Sequence, residues 1–214
     1  RVMVNRIWQH HFGEGIVRTP SNFGKTGDKP THPELLDWLA LRFVRDGWSI
    51  KSLHRLILNS STYQQSAVTA RSFAAQDPEN RLFARANVLR LEAEAVRDSL
   101  LAVSGQLDGT VGGSLLKLKN RAYFFDHTSK DLTTYDSNRR SLYLPVVRNN
   151  VFDLFQLLDF PDPTVSTSDR ASTVVAPQAL LMMNSDFVMQ SAGHLADRLL
   201  SSSGDNRERL RQLY

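Results

Sequence analysis

Along much of the chain apolar residues recur every three or four positions, the period of a helix with one buried face. The first run, from Val2 to Phe12, stops at Gly13 and Gly15, where glycine accepts the left-handed cap conformation without steric cost. A polar, Gly- and Pro-punctuated loop follows as far as Pro30. Thr31 and Glu34 then have the spacing of a capping box, in which each side chain bonds the other's backbone N–H. Leu35, Leu36, Trp38, Leu39 and Phe43 form the apolar stripe of that second helix, and Gly47 ends it. Ser49 is expected to cap a shorter helix carrying Ile50, Leu53, Leu56 and Ile57, packed nearly antiparallel because the link is short. Asp77-Pro78-Glu79-Asn80 reads as another helix start, with an acidic cap and proline at the first position. Leu91 to Val103 predicts a strong helix closed by Gly105, with Glu92, Glu94, Arg97 and Asp98 on a solvated face.

From about Gly109 the pattern changes. Tyr123-Phe124-Phe125 and the run from Ser141 to Val147 are rich in aromatic and β-branched residues, which predicts two strands, the second held to an edge or bulge by Pro145. Helical spacing returns at Phe152 to Leu158 and stops at Pro161 and Pro163. A further helix is expected from Pro177 through Met183, and another carrying Phe187, Val188, Ala192, Leu195 and Leu199. Asp205 and Glu208 look like a second capping box. The expected fold is mainly α, a bundle-like domain with a small β-hairpin or two- to three-stranded sheet around 120–148. Residues 1–105 form a helical part, 106–150 a β-containing insert and 151–214 a second helical part. The chain opens inside a helical pattern and closes at Tyr214 on a helix barely begun, so we expect a single-domain fragment of a longer chain.

At 214 residues and 41% hydrophobic content the chain can bury a substantial core. It has no apolar run near the ~20 residues a transmembrane helix needs, and no segment with the form of a signal peptide. The absence of cysteine excludes disulfides, zinc–cysteine sites, iron–sulfur clusters and C-x-x-C-H haem attachment within the segment. We therefore expect no cofactor within it. A net charge of +4 permits an anionic glycan, an acidic lipid surface or nucleic acid as a partner, and equally serves only to keep a chain in solution.

Six phrases occur in order: Asn5-Arg6-Ile7-Trp8-Gln9-His10-His11-Phe12-Gly13, the stretch from Thr31 to Ala40, and Asp77-Pro78-Glu79-Asn80-Arg81. Arg90-Leu91-Glu92-Ala93-Glu94, Arg139-Arg140-Ser141-Leu142-Tyr143, and Ala176-Pro177-Gln178-Ala179-Leu180 ahead of Met183-Asn184 complete the set. Together they resemble the planctomycete-specific C-terminal domain of unknown function found in large proteins with cytochrome-c-like modules. The resemblance covers nearly the whole chain. It implies a large, extracytoplasmic, multidomain bacterial protein whose haem-binding parts lie upstream of Arg1, with the other domains of that chain as partners. The sequence departs from the family pattern between Pro161 and Thr173, where a second arginine is expected beside Arg170.

Several residues could carry chemistry. Arg6 and His10 share a helix face at i, i+4 and could form a polar pair facing a ligand, or simply fix packing. The six histidines, at positions 10, 11, 32, 54, 127 and 194, show no H-x-x-x-H or H-E-x-x-H spacing, and we expect no metal site. There is no nucleophile elbow and no phosphate-cradling glycine loop. Asp126 beside His127, Asp159 and Asp162 sit at predicted element ends, where two carboxylates could act as general acid and base, although turn formation explains the last two equally well. Arg139, Arg140, Arg148 and Arg170 could converge on a sulfate, carboxylate or phosphate, or else pair with internal acids.

The first reading is a non-catalytic docking or ligand-binding module, with an anionic glycan as the candidate ligand and Arg6, His10, Arg139, Arg140, Arg148 and Arg170 as its candidate contacts. The alternative is a hydrolase acting on an anionic polysaccharide through Asp126, His127, Asp159 or Asp162. A nucleic-acid-binding domain stands third, disfavoured because the aromatics fall at core positions rather than among basic residues.

Overall fold

Glycine or proline marks several helix ends where the periodicity places them. The computed structural model describes residues 1–68, 71–116, 134–148, 150–202 and 204–213. The chain forms two compact units, Arg1–Arg90 and Leu91–Tyr214.

In the first unit α1 (Val2–Phe12) ends because Gly13 takes a φ of 80° and donates its N–H to the Gln9 carbonyl at 2.7 Å. α2 (Pro33–Arg45) begins on a proline, whose missing N–H costs nothing there. The expected Thr31–Glu34 capping box does not form. Thr31 instead gives both its N–H (2.9 Å) and its hydroxyl (3.3 Å) to the Ile16 carbonyl, and His32 occupies the cap. α3 (Ile50–Leu58) is capped as expected, the Ser52 N–H donating to Ser49 Oγ at 3.2 Å. A short α4 (Arg71–Gln76) follows.

The core of this unit joins Val4, Ile7, Trp8 and Phe12 of α1 to Leu36, Leu39 and Phe43 of α2 and Leu53 and Ile57 of α3. Trp38 does not belong to it: the ring is 51% exposed, on the far side of α2 from Leu36 and Phe43. Nor does Asp77 start a helix. Its carboxylate accepts the N–H groups of Arg81 and Leu82, both at 2.8 Å, while Asn80 and Phe83 take φ values near 51°. Left-handed backbone at two positions bends the chain into a turn, which carries Phe83 onto Trp8 and Phe12.

The second unit is built on α5 (Ala93–Ser104), which Gly105 closes at φ 77°. After it come α6 (Asp153–Leu157), α7 (Ala176–Asn184), α8 (Asp186–Ser201) and α9 (Asn206–Leu213). Of the expected capping box at α9 one half is seen, the Glu208 N–H donating to Asp205 Oδ1 at 2.9 Å. Ala93, Leu144, Leu154, Phe155 and Leu158 form the apolar core, with Phe160, Leu181 and Phe187 packed against it. On α8, Val188 is buried, Leu195 and Leu199 are half-buried and Ala192 is exposed. No helix among the described residues is long and apolar enough to cross a membrane.

The expected hairpin needs correction. Its first strand, Tyr123–Phe125, lies outside the described residues. Its second does not form: Ser141–Tyr143 is a 3-10 turn, and the β pairing among the described residues is one isolated bridge between Asp108 and Arg139. The pattern of burial gives the reason. Ser141, Leu144 and Val147 are buried and the residues between them are not, a period of three rather than the two of a strand. Side chains of α5 hold the Ser141 backbone in place of a neighbouring strand.

Candidate functional site

Arg97 organises the polar centre of the second unit. It was expected on a solvated face, yet it is 1% exposed. Its guanidinium donates to the carbonyls of Arg139 (2.9 Å) and Ser137 and to Ser141 Oγ (3.3 Å), while Asp98 Oδ1 accepts the Ser141 N–H (2.8 Å) and hydroxyl (2.6 Å). Burial pulls the Arg97 guanidinium below its ordinary pKa, and the Asp98 charge opposes that pull. Residues 137–141 are thereby fixed against α5, which aims Arg139 and Arg140 at one phenol ring.

That ring is Tyr143. The Arg139 guanidinium lies 4.0 Å from its centroid and that of Arg140 lies 5.8 Å away. Arg139 is 9% exposed and also donates to the carbonyls of Thr110 (2.9 Å) and Gly112 (2.5 Å). The Gly112 N–H donates to the Tyr143 hydroxyl at 3.1 Å. This bond first, then a hydrogen bond from Arg140 and the charges of Arg140 and Arg139, holds the phenol below the usual tyrosine range. Arg140 is half-exposed, and its buried Nε meets no acceptor among the described residues. No carboxylate of the described residues lies within ion-pair distance of Arg139 or Arg140.

Arg170 is placed differently. It forms a two-pronged pair with Glu94 at 2.8 and 2.9 Å, meets Glu92 at 3.3 Å and lies over Phe160. Burial, the largest single influence, acts to raise the Glu94 carboxyl, but the bonds from Arg170, a bond from its own backbone N–H and the Arg170 charge together leave the pKa below its ordinary value. Arg148 is exposed, as are Arg6 and His10 on α1 in the other unit.

The candidate carboxylates are held by local partners. Asp159, at a φ of 62°, accepts the Thr173 N–H and hydroxyl at 2.8 Å each and the Gln178 amide at 3.2 Å, which ties the end of α6 to the start of α7. Asp162 accepts the Thr164 N–H at 2.8 Å and its hydroxyl at 2.7 Å, and the hydroxyl bond is the main reason its pKa is low. Asp126 and His127 lie outside the described residues.

Two features carried no clear signal in the sequence. One is Tyr143, which as part of a presumed strand had no reason to collect two guanidiniums. The other lies in the first unit, where α1 and α3 bring His11 and His54 together, Nε2 to Nδ1 at 2.7 Å. His11 borders an open cleft of about 300 Å³ lined also by Phe12, Thr62, Tyr63 and Leu89. Burial, then the charges of His54 and His10, lowers the His11 pKa. Position 11 falls one residue from the expected Arg6–His10 face, and its partner is 43 residues on, so no local spacing could have shown the pair. Among the described residues no group of three or more His, Asp or Glu side chains is arranged to hold a metal ion.

Comparison with known proteins adds a family and no activity. No curated protein and no solved structure matches the chain. One family model does, along its full length, residues 1–214, and the chain belongs to that family: PSD1, a protein family of unknown function (DUF1553).

Proposed function

We propose that the chain is a non-catalytic docking module that binds an anionic ligand through Arg140 and Tyr143, supported by Arg139. One observation carries this reading. Two guanidiniums share a single tyrosine ring with no ion-paired carboxylate among the described residues, whereas Arg97 has one and Arg170 two. The field that favours an ionised phenol also favours an anionic oxygen placed beside it. Arg139 is committed to backbone carbonyls and supplies charge, while half-exposed Arg140 can rotate to present its fork to a sulfate or carboxylate. A charged polysaccharide suits such a site, since its anionic groups repeat and a weak single contact is multiplied along the polymer. The setting we propose is a large, planctomycete-specific, extracytoplasmic protein with cytochrome-c-like modules, on the strength of the six ordered motifs.

The test is binding of the full chain to immobilised dextran sulfate and polygalacturonate, with neutral dextran as control. Binding to the charged polymers alone is expected, weakening as salt rises. Arg140→Ala should lower affinity by roughly ten- to a hundredfold, as expected for a charged hydrogen bond worth about 1.5–3 kcal/mol. Arg148→Ala, outside the Tyr143 group, should bind like the parent. Equal binding by the parent and Arg140→Ala, or none by either, overturns the proposal.

A further inference from the structure

We propose that His11 and His54 form a two-imidazole site for a divalent transition-metal ion of borderline softness at the edge of the cleft in the first unit. The observation is independent of the arginine–tyrosine group and lies in the other unit. Two ring nitrogens from different helices face each other across 2.7 Å, with the rings turned 71° apart. In the neutral state one ring must donate to the other, and a separation this small is at the short end for such a bond. Metal–nitrogen bonds of about 2.0–2.1 Å place adjacent ligand nitrogens about 2.9 Å apart in a square arrangement and about 3.3 Å apart in a tetrahedral one. To accept an ion the nitrogens must part by a few tenths of an ångström and each ring must tilt, so that the two lone pairs converge beside the N–N line.

The surroundings suit that change. Both rings are half-buried, so solvent can reach the ion while the helices restrict ring rotation. Tyr63 packs edge-on against His11, with centroids 5.6 Å apart, which fixes the plane of that ring. Imidazole donors suit zinc, copper and nickel rather than magnesium or calcium, whose ions prefer oxygen. The pair supplies two ligands. Water, or a donor atom of a molecule in the adjoining cleft, would take the others. Such a site has open positions rather than the closed shell of a structural zinc.

The test uses the full chain without an affinity tag, titrated with copper(II) and followed by calorimetry and electron paramagnetic resonance. One equivalent should bind, with hyperfine splitting from two nitrogen ligands. His11→Gln and His54→Gln should each weaken binding by roughly tenfold or more, since even an outer-shell change costs a metal site that much. His10→Gln, on the exposed face, should retain the two-nitrogen signal. Circular dichroism of each variant separates loss of the site from loss of the fold, and an unfolded single variant is replaced by His54→Asn. Absence of binding, or equal affinity in the folded variants, shows that the contact is a hydrogen bond only and overturns the site.

Discussion

The two units of this chain solve the same packing problem with different materials. Among the described residues, the first unit packs α1, α2 and α3 around one apolar cluster, and its fully buried polar side chains, Asn5 and Asn80, are neutral amides. In the second, the apolar cluster around Ala93, Leu144, Leu154, Phe155 and Leu158 is accompanied by buried Arg97, Arg139, Ser141 and Gln178. A buried guanidinium is tolerated only when its hydrogen-bonding capacity is met. Arg97 meets most of that condition by donating from its two terminal nitrogens to the carbonyls of Ser137 and Arg139, while its buried Nε has no acceptor among the described residues. The difference teaches where the order of each unit comes from. Helices of the first unit are located by their own apolar stripes. In the second, a polar network from α5 dictates the path of residues 137–147, which have little regular structure of their own.

The sharpest way to break this comparison is Arg97→Leu. Removing the guanidinium leaves one buried and one half-buried carbonyl without donors and Asp98 without its counter-charge, and should cost about 3–5 kcal/mol. Hydrogen exchange should report it locally, with protection lost over 93–104 more than over 36–43. Equal loss in both places would mean that Arg97 is not what orders the second unit.

The same contrast explains what could be read in advance. Val4, Leu36, Leu39, Phe43, Leu53 and Ile57 lie at helical spacing, and each is buried as that spacing requires. Gly13, Gly105 and Ser49 also act as their local chemistry implies. These outcomes depend on residues at most four positions apart. Arg97 departs from its local pattern because a charged residue flanked by acids on a helix normally faces water, and the partners that bury it lie 40 and more residues away. The run from Ser141 to Val147 departs for a related reason: β-branched composition records what a segment could pair with, and here the pairing is with α5 side chains. Of the expected anion contacts, Arg139 and Arg140 share a ring and Arg170 is committed to Glu94, a division set by tertiary geometry alone.

Asn5 sharpens the comparison from the other side, because it is the feature of the first unit most like Arg97. Its side chain is fully buried and makes a reciprocal pair with Val17, donating Nδ2–H to the carbonyl at 3.0 Å and accepting the N–H at 2.8 Å. Gly15 permits this approach, since a Cβ there would sit 2.5 Å from the Val17 oxygen and 2.7 Å from Asn5 Nδ2. Asn5→Ala should therefore cost about 2–3 kcal/mol, the penalty for leaving buried backbone groups unpaired. That is less than Arg97→Leu because no charge is stranded. Gly15→Ala should disrupt the same clasp by crowding the amide while leaving Asn5 itself unchanged. If chemical denaturation finds Asn5→Ala as damaging as Arg97→Leu, charge is not what distinguishes the units.

The smallest expected effect concerns acid. Glu94 has a folded pKa below its ordinary value, against the pull of burial, because Arg170 bonds both of its oxygens. A carboxyl depressed in the folded state contributes stability above its unfolded pKa, near about 4.3 for glutamate, and that contribution is lost as pH falls through the folded value. Arg170→Gln removes the charge and the bonds that Arg170 supplies, leaves burial opposed only by the Glu94 backbone N–H and should raise the Glu94 titration. Both side chains retain solvent contact, so the loss at neutral pH should be about 1 kcal/mol or less. Asp77 of the first unit is depressed in the same direction, by the Leu82 N–H first, so an acid transition of the whole chain does not separate the two. The separating measurement is the Glu94 carboxyl resonance followed by carbon NMR from neutral to acid pH. In Arg170→Gln it should titrate higher and the acid limb of the stability curve should flatten. An unshifted Glu94 would show that solvent, rather than Arg170, sets its charge, and that the polar network of the second unit ends at Ser141.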